Sequence, residues 1–149
     1  MTYEADLGPR LSRRLTYLLK RALLDLEDLH QEHLEPFGIN GRELAVLLLL
    51  QAREPESQQQ AAARLKIDRT TMVALLDGLE SKGLVARHAD DGDRRRNVVA
   101  LTEAGQQVLS RATRASDKAE RRLLADLDAD EQAQLRALLV RIAAADRRR

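Results

Sequence analysis

Apolar residues recur at three- and four-residue steps along most of the chain, the spacing of helices that bury one face. Over residues 10–33 the stripe is Leu11, Leu15, Leu18, Ala22, Leu26 and Leu29, set among Arg, Lys, Asp and Glu. It predicts one amphipathic helix, broken by Pro36 and Gly38. Asn40 stands three residues before Glu43, the spacing of a capping box. The run LAVLLLL at 44–50 is apolar on nearly every face, so the helix that carries it is expected to be the most buried. Glu54-Pro55-Glu56 ends that helix, and Ser57 with Gln60 opens a short one over 57–65. After the turn LKID, Asp68 caps a helix over 68–82 whose inward face is Met72, Leu75, Leu76 and Leu79. Gly83 stops it, with Leu84 placed for the apolar contact of a Schellman end. Two helices joined by a turn of three or four residues have the spacing of a helix-turn-helix.

The pattern then changes. LVARHA (84–89) and NVVALT (97–102) are apolar-rich and β-branched, with DDGDRRR between them and Gly92 as the turn residue. This predicts a β-hairpin, the wing of a winged helix. Taken alone, DDGDRRRN at 90–97 reads as a solvated loop; between two strands and after a helix-turn-helix it becomes a wing tip. Thr102 can cap a long helix over about 103–126, with Val108, Leu109, Ala112, Ala115, Ala119 and Leu123 inward. Asp128 with Glu131 opens the last helix, striped by Leu135, Leu138, Leu139 and Ile142. The first helix and the last two carry apolar stripes that the central module is too small to cover, and a symmetric dimer is the simplest cover.

Composition agrees and narrows the chemistry. The chain has 149 residues, 44% of them hydrophobic but only Tyr3, Tyr17 and Phe37 aromatic. Leu and Ala dominate, and both favour helix. Charged residues make up 33% yet nearly cancel to +1, so nucleic-acid binding requires a local basic patch. The absence of cysteine excludes thiolate nucleophiles, disulfides and cysteine-based zinc sites. The opening MTYEADLGPR lacks the order of a signal peptide, and LAVLLLL is too short to span a bilayer, which leads us to expect a soluble cytoplasmic protein. No paired acid and base, nucleophile triad or phosphate-binding glycine loop is present, so neither an enzyme nor a cofactor is expected. Single-strand binding is disfavoured by the lack of aromatic stacking platforms.

The segment SQQQAAARLKIDRTTMVALLDGLESKGLVARHADDGDRRRNVVALTEAG, preceded by two helices and followed by two, resembles the MarR family of dimeric winged-helix transcription regulators. The agreement is closest over 57–105, in SQQ…A.RL.IDRTT, LD.LE.KGLV.R, D.RR and LTEAG. The resemblance implies a mostly helical fold with a small hairpin. A DNA-binding module over 37–102 would be flanked by dimerisation helices over 1–36 and 103–149. It implies a homodimer that reads a pseudo-palindromic operator, its two half-sites about one helical turn (~34 Å) apart. Many members repress neighbouring genes and release DNA when a small phenolic or anionic ligand binds between the dimer helices and the DNA-binding lobe.

On these grounds Arg69, Thr70 and Thr71 are expected to contact DNA from the start of the recognition helix, and Asp68 to cap it. Ala74 replaces what is often a long polar residue and Gly78 has no side chain, which leaves Val73 and Ala74 to touch thymine methyl groups and DNA shape to carry more of the specificity. Ser57 and Gln58 can donate to a phosphate, although Ser57 serves equally well as a cap. Ala61 stands where leucine is frequent, and Lys66 where glycine is, a position at which a positive φ would cost Lys about 1 kcal/mol. In the wing, the match implies that Arg95 enters the minor groove with Asp93 orienting it. Strand alternation turns Arg94 and Arg96 away from Arg95, towards phosphates, and Arg87 is a further phosphate candidate. Leu11, Leu15, Leu18, Leu135, Leu138, Leu139 and Ile142 are assigned to the dimer interface. His30 and His33, at i and i+3, are read as ordinary surface or interface histidines rather than metal ligands. The closing DRRR is read as a solvated end. The competing function is a winged-helix protein-interaction module that has lost specific DNA binding.

Overall fold

The computed structural model describes residues 3–145; the closing DRRR (146–149) lies outside the described residues. The order is α1 Tyr3–Leu11, α2 Leu15–Leu34, a 3-10 turn Glu35–Phe37, α3 Gly41–Ala52, α4 Gln58–Leu65, α5 Arg69–Ser81, β1 Val85–Ala89, β2 Asn97–Leu101, α6 Glu103–Leu123 and α7 Ala129–Ala144. The fold is therefore mostly helical with one antiparallel hairpin, a winged helix-turn-helix. Among the described residues no helix is long and apolar enough to cross a membrane.

The chain divides into two compact units: residues up to Leu29 together with those from Lys118 onward, and His30–Asp117. The second unit takes in the end of α2 and most of α6 as well as residues 37–102. Its core joins Leu34, Val46, Leu47, Met72, Leu76, Leu79, Val85, Val99 and Leu109, all nearly free of solvent. As expected, α3 is deeply buried, its inward residues being Leu44, Val46, Leu47 and Leu50.

Local chemistry sets the boundaries of the elements. The Asn40 side chain accepts from the Glu43 amide at 2.9 Å while Glu43 Oε1 accepts from the Asn40 amide at 3.2 Å, a complete capping box. Glu43 is buried and takes a second partner, Lys82 Nζ at 2.8 Å, which ties the start of α3 to the end of α5. Ser57 with Gln60 and Asp128 with Glu131 form the other two boxes. α5 ends in a Schellman motif: the Leu84 amide donates to Leu79 O at 3.0 Å and the Gly83 amide to Glu80 O at 2.9 Å, with Gly83 at φ 74°. Lys66 closes α4 in the left-handed region, φ 54° and ψ 42°, the strained conformation that glycine would take more cheaply.

Two expectations change. Residues 10–33 are not one helix, because the chain turns at Ser12–Arg14, and α2 restarts where Arg14 O accepts from Tyr17 and Leu18. The apolar stripe stays in phase across that turn and so hides it. A separate kink lies upstream inside α1, at Gly8 (φ 78°) before Pro9. The hairpin tip also bends without a positive φ at Gly92. The Asp90 carboxylate accepts from the Gly92 amide at 3.2 Å, and Asp93 accepts from the Arg95 amide at 3.0 Å, so two aspartate side chains shape the tip.

In the first unit α7 has no buried residue, and Leu15, Leu18, Leu19 and Leu23 on α2 are exposed, as are Leu138, Leu139 and Ile142 on α7. Leu11 and Leu135 are half-buried. An apolar cleft of about 510 Å³ in this unit is lined by Leu18, Leu26, Leu123, Leu135 and Leu139 among others.

Candidate nucleic-acid interface

Three elements of the second unit converge on one face: the start of α4, the length of α5 and the hairpin. The β1–β2 register pairs Val85 with Leu101 and Ala89 with Asn97. A short bridge, in which the Val99 amide donates to Glu56 O at 3.1 Å, pins the hairpin to the residue before α4's cap. Between these elements lies a groove of about 610 Å³ lined by Ser57, Gln58, Arg69, Val73, Arg95 and Arg96, with Asp77 and Arg87. Of the residues expected from the sequence, the groove brings together Ser57, Gln58, Arg69, Val73, Arg87, Arg95 and Arg96.

Arg69, Thr70 and Ala74 are exposed on α5, while Thr71 and Val73 are half-buried. Asp68 is the cap, as expected. Its carboxylate accepts from the Thr71 hydroxyl at 2.7 Å and the Thr71 amide at 2.8 Å. These bonds hold the Asp68 carboxyl below its ordinary pKa, the hydroxyl contributing most. The Thr71 hydroxyl is thereby committed inside the motif, and Thr70 is the threonine whose side chain faces outward. Gly78 is half-buried with Glu43 as its neighbour, a Cβ there lying 3.9 Å from Glu43 Oε2. It therefore does not belong to the outward ridge on which its lack of a side chain was expected to matter.

Ser57 acts as a cap: its Oγ accepts from the Gln60 amide at 3.2 Å and donates to Gln60 Oε1 at 3.3 Å. Gln60 Oε1 also accepts from Arg96 Nη2, so the wing tip is tethered to the first turn of α4. Arg96 and Arg95 line the same groove rather than facing opposite ways. Strand alternation does not reach them, because β2 begins at Asn97 and residues 93–96 form a turn closed by the Arg96 amide on Asp93 O at 3.0 Å. Asp93 orients Arg95 through its backbone amide, not through its guanidinium. Arg94 is exposed and does not line the groove.

Arg87 is the largest revision. Its Nη2 donates to Asp77 Oδ1 at 2.8 Å, its Nη1 to Glu80 Oε1 at 3.3 Å, and its backbone amide to Glu80 Oε2 at 3.2 Å. Two carboxylates of α5 thus hold the first wing strand, and the arginine neutralises acids beside the groove instead of reaching outward. Arg87→Met is expected to lower stability by about 1 kcal/mol, because the pairs are only partly shielded. In urea denaturation the same change made on top of Asp77→Asn should cost measurably less, and full additivity would show that the bridge contributes nothing.

His30 Nε2 lies 2.9 Å from Ser116 Oγ, a contact between the end of α2 and α6 within the second unit. Among the described residues no group of three or more His, Asp or Glu side chains converges as a metal site.

The sequence pattern of the MarR family matches residues 37–96, which covers the helix-turn-helix and the wing tip. The fold matches a solved transcriptional repressor, CouR, bound to a 23-mer DNA duplex. Identity is 36% and the TM-score 0.85, with 92% of this chain and 96% of that one aligned. The chain belongs to the MarR family. This MarR-family protein also matches CouR from Rhodococcus jostii RHA1 bound to p-coumaroyl-CoA, at 31% identity and TM-score 0.80 over 93% and 98% of the two chains. A further match is a MarR-family regulator from Rhodococcus sp. RHA1, at 30% identity and TM-score 0.80 over 89% and 96%. These relatives include a transcriptional repressor and a transcriptional regulator.

Proposed function

We propose that this protein is a homodimeric repressor that binds double-stranded DNA at a pseudo-palindromic operator and releases it when a small phenolic or anionic ligand binds. The observation that carries the reading is the placing of Arg69 and Arg95 on one groove. Each lacks a carboxylate partner among the described residues, while Arg87 beside them is fully paired. Arg69 and Thr70 at the free end of α5 enter the major groove, with Val73 and Ala74 offering apolar contact to thymine methyls. Arg95 enters the minor groove, where A·T-rich DNA concentrates negative potential. Arg94 and Arg96 reach phosphates, and the Ser57–Gln58 end of α4 positions the module on the backbone. The exposed apolar face of α7 supports the homodimer. CouR, solved with p-coumaroyl-CoA, supports an acylated or aromatic effector.

The test is a fluorescence-anisotropy titration against the gene's own upstream DNA over a range of salt. A specific complex that weakens steeply as salt rises is expected. Arg95→Ala should weaken it by roughly 1–3 kcal/mol, most at A·T-rich flanks. The absence of any specific, salt-sensitive complex would favour the protein-interaction reading, which the short side chain of Ala74 suits.

A further inference from the structure

Cations in the second unit fall into two kinds. Arg53 and Arg64 pair with Glu56, Lys82 with Glu43, and Arg87 with Asp77 and Glu80, so each supports the fold. Arg42 and Lys66 are exposed and have no carboxylate partner among the described residues. Neither was singled out by the sequence as a contact. They also lie close together. Arg42 borders two adjoining depressions beside α5, one shared with Thr70, Thr71 and Ala74 and the other with Lys66, Thr71 and Leu75.

Helical geometry places that flank. Arg69, Val73 and Asp77 recur at four-residue steps and face the wing groove, whereas Thr70 and Ala74 lie one residue, about 100°, further round α5. The outward ridge of α5 therefore has Arg95 and Arg96 on one side and Arg42 and Lys66 on the other. Lys66 adds a second observation. It holds a left-handed conformation at φ 54° where glycine would be unstrained, so its side chain is kept at a cost to the fold. Asp68 also lines the depression, but its carboxylate is occupied by the hydroxyl and amide of Thr71.

We propose that Arg42 and Lys66 form a second phosphate-binding wall, gripping the DNA strand across the major groove from the one beside the wing. This rests on the DNA-binding reading above. A helix lying in a groove about 12 Å wide has a phosphate rim on each side. Cations on both rims centre the helix, and because phosphates carry no base identity these contacts add affinity without sequence preference.

The test measures binding of wild type, Arg42→Ala, Lys66→Gly and the double variant to the upstream duplex and to a scrambled duplex across a salt series. Each single substitution should weaken both complexes by a similar factor, about fivefold to tenfold. Each should also flatten the log–log salt dependence by about 2 per dimer, one phosphate contact being lost in each half-site. Lys66→Gly should melt no lower than wild type, since it relieves the left-handed strain, and this separates lost binding from lost folding. Wild-type binding together with unchanged affinity and salt slope in the double variant would overturn the second wall and leave the DNA-binding reading intact. A wild-type protein that forms no salt-sensitive complex would overturn both.

Discussion

Replacing Leu138 and Leu139 with aspartate is expected to give a folded monomer that no longer binds its operator. Both leucines are exposed in the single chain, at 45% and 41%, and α7 as a whole buries nothing. Polar side chains there are therefore compatible with the folded subunit. In a dimer that covers this face the same positions are apolar anchors. Burying the exposed part of each leucine contributes roughly half of the ~1.5–3 kcal/mol of a fully exposed one, and each buried aspartate without a partner costs several kcal/mol more. Summed over two subunits, the change exceeds the roughly 8 kcal/mol that separates a micromolar dimer from dissociated chains. A lone subunit engages only one half-site and loses the high effective concentration of the tethered second module, so specific affinity falls by orders of magnitude. Sedimentation at micromolar concentration, circular dichroism and operator titration together decide it. A helical double variant that still sediments as a dimer and binds DNA would refute the interface.

Much of the fold was legible because its signals are local. The capping boxes at Asn40, Ser57 and Asp128 and the cap at Asp68 each need only a side chain and an amide three residues apart, and the structure forms all four. The Schellman end at Gly83–Leu84 and the left-handed Lys66 are likewise written within a few residues. The site was legible as a set of residues but not as a set of partnerships. Arg87 finds Asp77 and Glu80 across the strand–helix packing, and Arg96 finds Gln60 from 36 positions away. No spacing rule encodes either pairing. The sequence shows that the wing is basic. Which arginines remain available to an anion depends on which carboxylates the fold brings beside them. Arg42 and Lys66 likewise have no carboxylate partner among the described residues, and their place on the flank of α5 away from the wing is set only by the fold.

Gly105 supplies the second large effect. Gly105→Ala is expected to destabilise the protein although it puts a better helix former inside α6. The Cβ of an alanine at 105 would sit 2.0 Å from the carbonyl oxygen of Leu84 and 3.0 Å from its carbonyl carbon, backbone atoms that no rotamer change can move aside. The contact is close because the start of α6 is pinned there. The Thr102 amide donates to Leu84 O at 3.1 Å, the Thr102 hydroxyl to Gly83 O at 2.6 Å, and the Gly105 amide to that hydroxyl oxygen at 3.0 Å. Helix propensity alone favours alanine by about 0.5–1 kcal/mol. Opposing it are overpacking, about 1–3 kcal/mol, and the loss of two or three hydrogen bonds worth about 1 kcal/mol each. The balance is a net loss of roughly 2–5 kcal/mol, opposite in sign to the propensity effect. A lower urea midpoint would confirm the close approach, and a raised one would show that α6 does not rest against the Leu84 carbonyl. The functional consequence follows from position. The pinned carbonyls belong to Gly83 and Leu84, the junction between α5 and β1, so displacing α6 shifts the root from which α5 and the hairpin diverge. Arg69 and Arg95 would lose their common alignment, and operator affinity should fall by more than the unfolded fraction accounts for.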